Sequence, residues 1–372
     1  MALIEQNKMP KEDAVIWDFP LRFFHWAMVG VVAIAALTGY LFEGWWLNIH
    51  VYAGYALLCL LLFRLVWGFM GSYYSRFHHF PLARGEVVAH IKSLLKGRSK
   101  EYVGHNPVGA WMIVILLSTL VLLVLSGLFV WGGQENSGPL ASVASYGIGK
   151  ASEEVHEVLA GLLMAAIAFH VGGVLVENFI FKHPLIKAMI TGRKEGVIAQ
   201  GQVRVAHSVL GIGLFVAIVC GVAFWVNAAQ GPRFIGAQNA TYTQECGDCH
   251  LAYHPSMRTG DSWQKMLLSL ENHYGEDASL TPKKRAEILA YLQENNATTF
   301  DTKVAHKIGQ VETASLRMTD TRYWQKKHDD FKPATFTHAE IGSKVNCNAC
   351  HQDAADGRFS ESAIKLPKGV KK

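Results

Sequence analysis

Four of the six cysteines stand in two short motifs, each of which ends in histidine. The motifs are Cys246-Gly-Asp-Cys249-His250 and Cys347-Asn-Ala-Cys350-His351. In such a pentapeptide, two thiols can form thioethers to the vinyl groups of one haem, and the adjacent histidine is then held against the iron. The repeated motif therefore predicts two covalently attached c-type haems, with His250 and His351 as the proximal iron ligands.

Two other chemistries would use the same thiols. Two Cys-x-x-Cys pairs could hold a zinc ion, and one pair could form a redox disulfide. Neither explains why histidine follows both pairs directly. The remaining cysteines, Cys59 and Cys220, lie inside apolar stretches and are expected to be small packing residues.

Four further histidines lie within long apolar stretches, where ionisable residues are costly and functional by default. They are His25, His50, His156 and His170. On a helix, His156 and His170 would lie on nearly one face, separated by roughly 21 Å along the axis. That spacing suits two b-type haems, one near each membrane surface.

The direction of each helix determines which histidines share a depth. If the first helix runs outward, His25 lies near the cytoplasm and His50 begins the return helix on the outer side. His156 then opens the fourth helix from outside, and His170 lies deeper. Depth therefore pairs His25 with His170 and His50 with His156, each pair able to clamp one iron. Any one of these histidines alone could equally be an interfacial residue with a satisfied hydrogen bond.

Other polar residues near the apolar stretches have less specific interpretations. Arg64 lies well inside one of them, where it could extend toward the cytoplasmic surface or bind a haem propionate or a quinone. His105, His183 and His207 lie near the predicted cytoplasmic ends. They are interpreted as interfacial residues, or as quinone or propionate contacts, rather than as iron ligands.

The elements that must position these residues are five apolar runs of about 20 residues with almost no charge, which is typical of membrane-spanning helices. Half of the 372 residues are hydrophobic, and they are concentrated in these runs. The lipid bilayer is thus an expected partner. The runs cover approximately residues 23–42, 50–70, 110–131, 155–176 and 205–226.

The distribution of charge argues against a nucleic-acid partner and predicts how the chain is oriented in the membrane. Residues 1–228 carry 16 Lys/Arg and 13 Asp/Glu, and residues 229–372 carry 19 and 17, so neither part is strongly basic. The loops 71–109 and 178–204 hold six and five Lys/Arg, whereas 43–49 holds none and 132–154 holds one. Short loops rich in Lys and Arg stay cytoplasmic. The prediction is a multi-pass protein of the bacterial inner membrane with a cytoplasmic N-terminus and a periplasmic C-terminal domain.

The expected fold class is all-α. Residues 1–200 are predicted to form a transmembrane four-helix bundle around two b-haems, and residues 201–230 a fifth, tethering helix with its linker. Residues 231–372 are predicted to form a small periplasmic di-haem c domain, mostly helical and rich in loops. A cleaved signal peptide is not expected, because the first apolar run is long enough to span the membrane.

Two helices are predicted in the polar C-terminal domain, Trp263–Asn272 and Pro282–Asn296. The second has Thr281 as its N-cap, followed by proline at the first helical position.

The apolar part of the chain resembles bacterial cytochrome b561, in the group related to the hydrogenase cytochrome b subunit. This resemblance implies a four-helix di-haem protein that exchanges electrons with quinone or a redox partner, and it makes the four histidines above the b-haem ligands. The matching stretches are Val15–Trp26, the run from His50 through Phe63–Gly68, Gly104–Pro107, and His156 through His170 to Lys194.

Residues 240–367 resemble the small di-haem cytochrome c family, on both haem-attachment motifs and stretches such as Glu271–Leu280 and Tyr323–His328. That family binds two low-spin c-haems with bis-histidine ligation. The resemblance implies His273 and His328 as the distal ligands, and it leaves open which haem each serves. The rivals are His254, His306, His338, Met257, Met266 and Met318.

The function expected is electron transfer between the membrane quinone pool and a periplasmic redox partner, through two b-haems and two c-haems. The favoured direction is from quinol to a soluble periplasmic acceptor, and the reverse direction would use the same groups. A terminal haem reductase or peroxidase with an open iron site is the alternative from another class, so an enzymatic activity stays open. A haem-based sensor ranks last, because no signalling domain is attached.

Overall fold

The computed structural model describes residues 14–42, 44–197, 203–229, 239–311 and 315–370. This part is mostly helical, which confirms the all-α class; its strands are β1 (Ala14–Val15) and β2 (Arg193–Lys194), paired antiparallel. The α-helices of the described ranges are α1 (Phe19–Tyr40), α2 (Leu47–Met70), α3 (Arg84–Leu95), α4 (Pro107–Gln134), α5 (Tyr146–Leu175), α6 (Leu185–Thr191), α7 (Val205–Ala228), α8 (Ala240–Gly247), α9 (Gly260–Leu268), α10 (Pro282–Glu294) and α11 (Arg322–Lys327).

Five of these helices, α1, α2, α4, α5 and α7, are long and apolar enough to cross a membrane. They cover the five predicted runs, except that α1 begins before the first run and ends at Tyr40, two residues before that run does. The fourth span begins at Tyr146, well before the predicted start, because polar residues continue the helix past its apolar segment. There Lys150 Nζ and Glu153 Oε2 form an ion pair at 2.5 Å across one helical turn. A π-helical turn, Val176–Ile180, continues α5 at its other end.

The surface of these helices is apolar. Phe169 on α5 and Phe224 on α7 are each 75% exposed. In the most apolar window of α7 only 6% of the residues are buried. Such large side chains would be costly in water, so this surface is suited to lipid.

The described helices divide into two compact units. The first contains the described residues of 14–42, 49–127 and 154–228. In it α7 packs against α1 at Gly211, where an added Cβ would lie 2.5 Å from Pro20 Cγ. The Phe215 ring contacts those of Phe23 and Phe63 at centroid distances of 5.7 and 5.9 Å. The fifth span is therefore part of the bundle's packing, beyond its predicted use as a tether.

The second unit contains the described residues of 44–48, 128–153 and 229–370. Its hydrophobic core lies between α9 and α10. Trp263 and Leu267 on α9, and Ile288 and Leu292 on α10, are all at least 95% buried. Each pair is spaced four residues apart, which places both side chains on one helical face.

The helix boundaries of this unit follow their caps. α10 begins after Thr281, as predicted, with the Thr281 hydroxyl accepting a hydrogen bond from Lys284 N at 3.4 Å. α9 begins earlier than predicted, because Thr259 caps it by accepting from Ser262 N at 3.3 Å. The predicted linker between α7 and α8 lies mostly outside the described residues.

Candidate functional site

The first haem-attachment motif begins at the end of α8, and its histidine faces another imidazole. The ring centroids of His250 and His273 are 6.2 Å apart, and the ring planes are tilted by 30°. His273 is held by a backbone bridge, in which its N–H donates to Glu276 O at 2.8 Å. The structure thus brings together a predicted proximal and a predicted distal residue.

The second motif has the same arrangement. The ring centroids of His351 and His328 are 6.1 Å apart. His328 closes α11 and pairs through Nδ1 with Trp324 O at 2.8 Å. Its ring also stacks on the Trp324 ring at 4.3 Å. The sequence left open which distal histidine serves which haem. In the structure, His273 lies beside the first motif and His328 lies beside the second.

Tyr253 links the surroundings of the two motifs. Its ring stacks on that of His250 at 4.9 Å. Its hydroxyl donates to Val345 O at 3.2 Å, close in sequence to Cys347. The two motifs are therefore neighbours within one unit.

The rival histidines are engaged elsewhere. His254 is 3% exposed, and its Nδ1 pairs with Ser256 Oγ at 2.7 Å. His306 Nε2 lies 2.7 Å from Asp301 Oδ1. His338 Nδ1 accepts a hydrogen bond from the backbone of residue 340 at 3.3 Å. Among the described ring contacts, His273 and His328 are the imidazoles that face His250 and His351.

The rival methionines belong to the hydrophobic core. Met257 and Met318 are 3% and 7% exposed, and Met266 packs against the same cluster. Their thioethers are used in packing, so the core explains them without iron.

The histidines of the apolar helices also form pairs. His50 on α2 and His156 on α5 have ring centroids 6.1 Å apart. His25 on α1 and His170 on α5 are close enough for a charge on one to act on the other. Both pairs are those that depth alone predicted.

The spacing of the three measured pairs fits a shared metal ion. With a metal–imidazole nitrogen bond of about 2 Å and about 1 Å from that nitrogen to the ring centre, two rings on opposite sides of one metal have centres roughly 6 Å apart. The observed spacings are 6.1, 6.2 and 6.1 Å. Two neutral imidazoles are also the donor set of six-coordinate haem iron, so the residues fit the cofactor that the motifs predict.

Hydrogen bonds orient several of these rings through Nδ1. His50 Nδ1 lies 3.1 Å from Ala35 O, and His156 Nδ1 lies 2.9 Å from Ser126 Oγ. His250 Nδ1 lies 2.7 Å from the carbonyl oxygen of the next residue. When Nδ1 is engaged in this way, the tautomer is fixed and Nε2 is left to bind a metal.

Two glycines make room for the imidazoles of the apolar helices. An added Cβ at Gly39 would lie 3.3 Å from His50 Cε1, and one at Gly127 would lie 3.3 Å from His156 Cε1. Larger residues there would press on the rings and change their orientation. Neither glycine was singled out by sequence reasoning, because a glycine within an apolar helix has many packing uses.

The four motif thiols do not form a common metal site. Burial raises the pKa of Cys246 and of Cys347 to about 11. Within the described ranges, no group of three or more His, Cys, Asp and Glu side chains could hold a metal ion. The zinc interpretation therefore finds no converging ligand set.

Arg64 is 3% exposed and has protein partners. It donates through Nη1 to Ser75 O at 3.1 Å, and its guanidinium lies 4.4 Å from the centre of the Phe77 ring. Both partners lie in the segment that follows α2, so the extension of Arg64 toward the cytoplasmic surface stays a prediction. A role toward a propionate or a quinone stays a prediction.

Sequence reasoning gave no role to Asp18, which organises the start of α1. Its carboxylate is fully buried and accepts from Leu21 N at 2.7 Å, as an N-cap does. It also accepts from Trp67 Nε1 at 3.1 Å and from the hydroxyls of Ser72 and Ser75 at 2.5 and 2.7 Å. Aspartate before Phe-Pro is a local N-cap signal, but its long-range partners are visible only in the fold.

His105, which is half-buried, was predicted to be an interfacial residue or a quinone or propionate contact. It packs between the rings of Trp17 and Phe80, at centroid distances of 4.7 and 4.6 Å. Burial, with Arg64 and Lys194 nearby, lowers the pKa of His105 to about 3. His105 is therefore a neutral packing residue of the first unit.

Two protein families match this chain. The family model of prokaryotic cytochrome b561 matches residues 16–192, and that of dihaem cytochrome c matches residues 242–359.

Individual proteins are similar to parts of this chain. The probable Ni/Fe-hydrogenase B-type cytochrome subunit of Rhizobium leguminosarum bv. viciae is 21% identical, covering 51% of this chain and 92% of the relative. That of Azotobacter chroococcum mcd 1 is 23% identical, covering 50% and 91%. The crystal structure of a diheme cytochrome c from Shewanella baltica OS155 is 31% identical, covering 36% of this chain and 96% of that one, with a TM-score of 0.29.

Proposed function

This chain belongs to the prokaryotic cytochrome b561 and dihaem cytochrome c families, and on that premise we propose that it carries electrons between the membrane quinone pool and a periplasmic redox partner. As a multi-pass membrane cytochrome it binds haem b and haem c and works in electron transfer. The proposed route uses two b-haems and two c-haems. The proposed direction is from quinol to a soluble carrier or reductase.

The observation that carries the proposal is the set of facing histidine pairs. His25 with His170, and His50 with His156, are the proposed b-haem ligands. His250 with His273, and His351 with His328, are the proposed c-haem ligands. The measured ring spacings of 6.1 to 6.2 Å support one iron in each of three pairs. Cys246, Cys249, Cys347 and Cys350 are the proposed points of covalent attachment.

Haem supplies one-electron chemistry, with a potential set by its axial ligands and surroundings. Hydrogen bonds at Nδ1 hold four of the rings in place, those of His50, His156, His250 and His328. An iron held between the two imidazoles of a pair would have a protein ligand on each side and no open position for a substrate. The pairs thus support electron transfer over catalysis at iron.

The proposed location is the bacterial inner membrane, with the N-terminus in the cytoplasm and the dihaem c part in the periplasm. The support comes from the positively charged loops 71–109 and 178–204, which by the positive-inside rule stay cytoplasmic. The periplasm is also the oxidising compartment that thioether attachment of haem requires.

A redox protein is the proposed partner. Relatives of residues 16–192 are named as cytochrome subunits of a Ni/Fe-hydrogenase, which is itself a redox enzyme. Here a dihaem c segment follows the b561 segment in the same chain. We propose that this segment meets a soluble periplasmic electron carrier or reductase.

Rapid mixing of the reconstituted protein with reduced ubiquinol or menaquinol analogues tests this function. The expected result is that the b-haems are reduced first and the c-haems afterwards, as followed by the absorbance of each haem type. A His170→Ala variant should interrupt the reaction, and His306→Ala, which changes a histidine outside the pairs, should behave as the wild type. The proposal is wrong if quinol reduces neither haem set while dithionite reduces both.

A further inference from the structure

A buried carboxylate in the π-helical turn after α5 gathers polar groups from several elements. Glu177 is 7% exposed. Its Oε2 lies 2.7 Å from His183 Nδ1, and both oxygens accept from Ser99 Oγ, at 3.1 and 3.0 Å. Asn106 Nδ2 donates to Oε1 at 3.4 Å. The haem ligand pairs do not use this cluster.

A second imidazole points at the same carboxylate without completing a hydrogen bond. His90, on α3, has a side chain that is 2% exposed, and its Nε2 lies 3.6 Å from Glu177 Oε1. Among the described residues this nitrogen has no hydrogen-bond partner. Leaving a buried polar atom unpaired is unfavourable for folding. If Glu177 had only a structural role, the unpaired His90 nitrogen would not be needed. A site that exchanges protons requires a nitrogen of this kind that is free to accept one.

Other ionisable groups surround the cluster. Lys194 on β2 is 2% exposed, donates through Nζ to Tyr102 O at 2.6 Å, and acts electrostatically on Glu177. Burial lowers the pKa of Lys194, although Glu101 and Glu177 oppose that shift. The Tyr102 ring lies 5.5 Å from that of His90, and burial, followed by the charges of Glu86 and Glu177, raises the pKa of Tyr102. Two imidazoles, one ammonium group and one phenol therefore lie near Glu177.

The local backbone also distinguishes this position. The turn Val176–Ile180 is π-helical, a conformation that is rare and frequent at functional sites. The residues that follow Glu177 line an open cavity of about 470 Å³, with Phe179, Ile186 and Ile190 among its walls. An apolar ring could thus approach the chain segment that carries the carboxylate.

We propose that Glu177, with His90 and His183, is the proton-accepting site for quinol oxidation in this protein. The inference rests on the proposed quinol-linked function. Oxidation of one quinol releases two electrons and two protons and leaves one quinone. Both electrons enter the chain's electron-transfer route, one at a time. Each proton passes to a Glu177 oxygen or to His90 Nε2, and leaves toward the side of the loops 71–109 and 178–204 before the next arrives.

Three variants and one control test the site in the full-length, haem-loaded protein. Glu177→Gln removes the acceptor, Glu177→Asp keeps it, and His90→Asn removes the free imidazole while leaving the bonds of Glu177 to His183 and Ser99. Glu195→Gln changes a carboxylate whose side chain is 67% exposed and pairs only with Lys187 in the described structure. Haem content and dithionite reduction should equal those of the wild type in every variant.

Two measurements are made on each variant. The first is the rate of haem reduction by a ubiquinol analogue as a function of pH. Because a positioned acid–base group contributes about 10²–10⁴-fold, Glu177→Gln should slow this rate about 100-fold, with partial recovery in Glu177→Asp. His90→Asn should change the pH profile. The second measurement is the infrared band of a protonated carboxyl group, which should titrate in the wild type and vanish only in Glu177→Gln.

Each outcome decides one claim. If Glu177→Gln is reduced by quinol at the wild-type rate and with the same pH profile, the site is wrong and the quinol-linked function stands. If quinol does not reduce even the wild type, the proposed function fails. In that case the infrared titration tests Glu177 separately. The proton site is wrong if the wild type shows no titrating carboxyl band, or if the band is unchanged in Glu177→Gln.

Discussion

At the scale of single residues, the proposed function depends on pairs of imidazoles that face each other at a spacing that fits one metal ion. Ring spacings of 6.1 Å for His50 and His156, and for His328 and His351, match the roughly 6 Å expected for two imidazoles that share one metal ion. The sequence supplied these residues by motif and by depth in the membrane. The pairing of His273 with the first motif and of His328 with the second came from the fold, since loop residues far apart in sequence have no period that relates them.

The pairing can be tested in a protein that carries a single c-haem. In a Cys347→Ser/Cys350→Ser background only the first motif can attach haem. There His273→Ala should convert the remaining c-haem from low-spin to high-spin in its absorption and EPR spectra, whereas His328→Ala should leave it low-spin. The opposite pattern would show that the distal ligands are exchanged between the two haems.

A second residue-scale prediction concerns acid stability. Burial lowers the pKa of His254 to about 4, below its ordinary value of about 6.5. The unfolded chain therefore binds a proton that the folded chain does not, so this stability is fully present above about pH 6.5 and is lost as the pH falls toward about 4. The melting temperature should fall as the pH is lowered through this range, and it should fall less in the His254→Asn variant.

His306→Asn is the matched control, because the His306 side chain is 33% exposed and pairs with Asp301 at the surface. It should keep the acid sensitivity of the wild type. An equal loss of melting temperature in His254→Asn and wild type would refute the assignment to His254.

At the scale of elements, the segment 128–153 belongs to the same compact unit as the dihaem c part. Glu135, just after α4, pairs with Lys303 in a contact where both side chains are nearly buried, and also accepts from Ser360 Oγ at 2.7 Å and Glu361 N at 3.1 Å. The Glu135 carboxylate raises the pKa of Lys303 despite its burial. A loop that seems to be a simple connection in the sequence is thus a structural part of this unit.

Breaking this ion pair should be costly. Glu135→Gln should lower the free energy of unfolding of the unit by about 3–5 kcal/mol, because it leaves the Lys303 charge buried without its partner. A Glu135→Met/Lys303→Met double variant should cost less than the sum of the two single changes, measured by thermal denaturation. Lys284→Met, which removes a more exposed ion pair with Glu245, should cost no more than about 1 kcal/mol. A cost for Glu135→Gln as small as that control would contradict the buried role.

At the scale of the whole molecule, the distribution of charge among the loops predicts how the chain crosses the membrane. Alkaline phosphatase is active only outside the cytoplasm, so fusions report the side of each loop. A fusion at Gly97 should be inactive, and fusions at Gly138 and at Gly369 should be active, because Lys and Arg are concentrated in the loops 71–109 and 178–204. Activity at Gly97 together with inactivity at Gly138 would reverse the proposed orientation.

The sequence alone determined the all-α class, the five spans, the two haem-attachment motifs and the histidines at matched depths. These features follow from local spacing and from the cost of polar groups in lipid, and both are readable along one chain. Only the tertiary structure decided which distal histidine meets which motif, that α7 packs on α1 through Gly211, and that Asp18, Glu135 and Glu177 are buried with their partners. Those contacts join residues far apart in sequence, so they exist only once packing has brought the segments together.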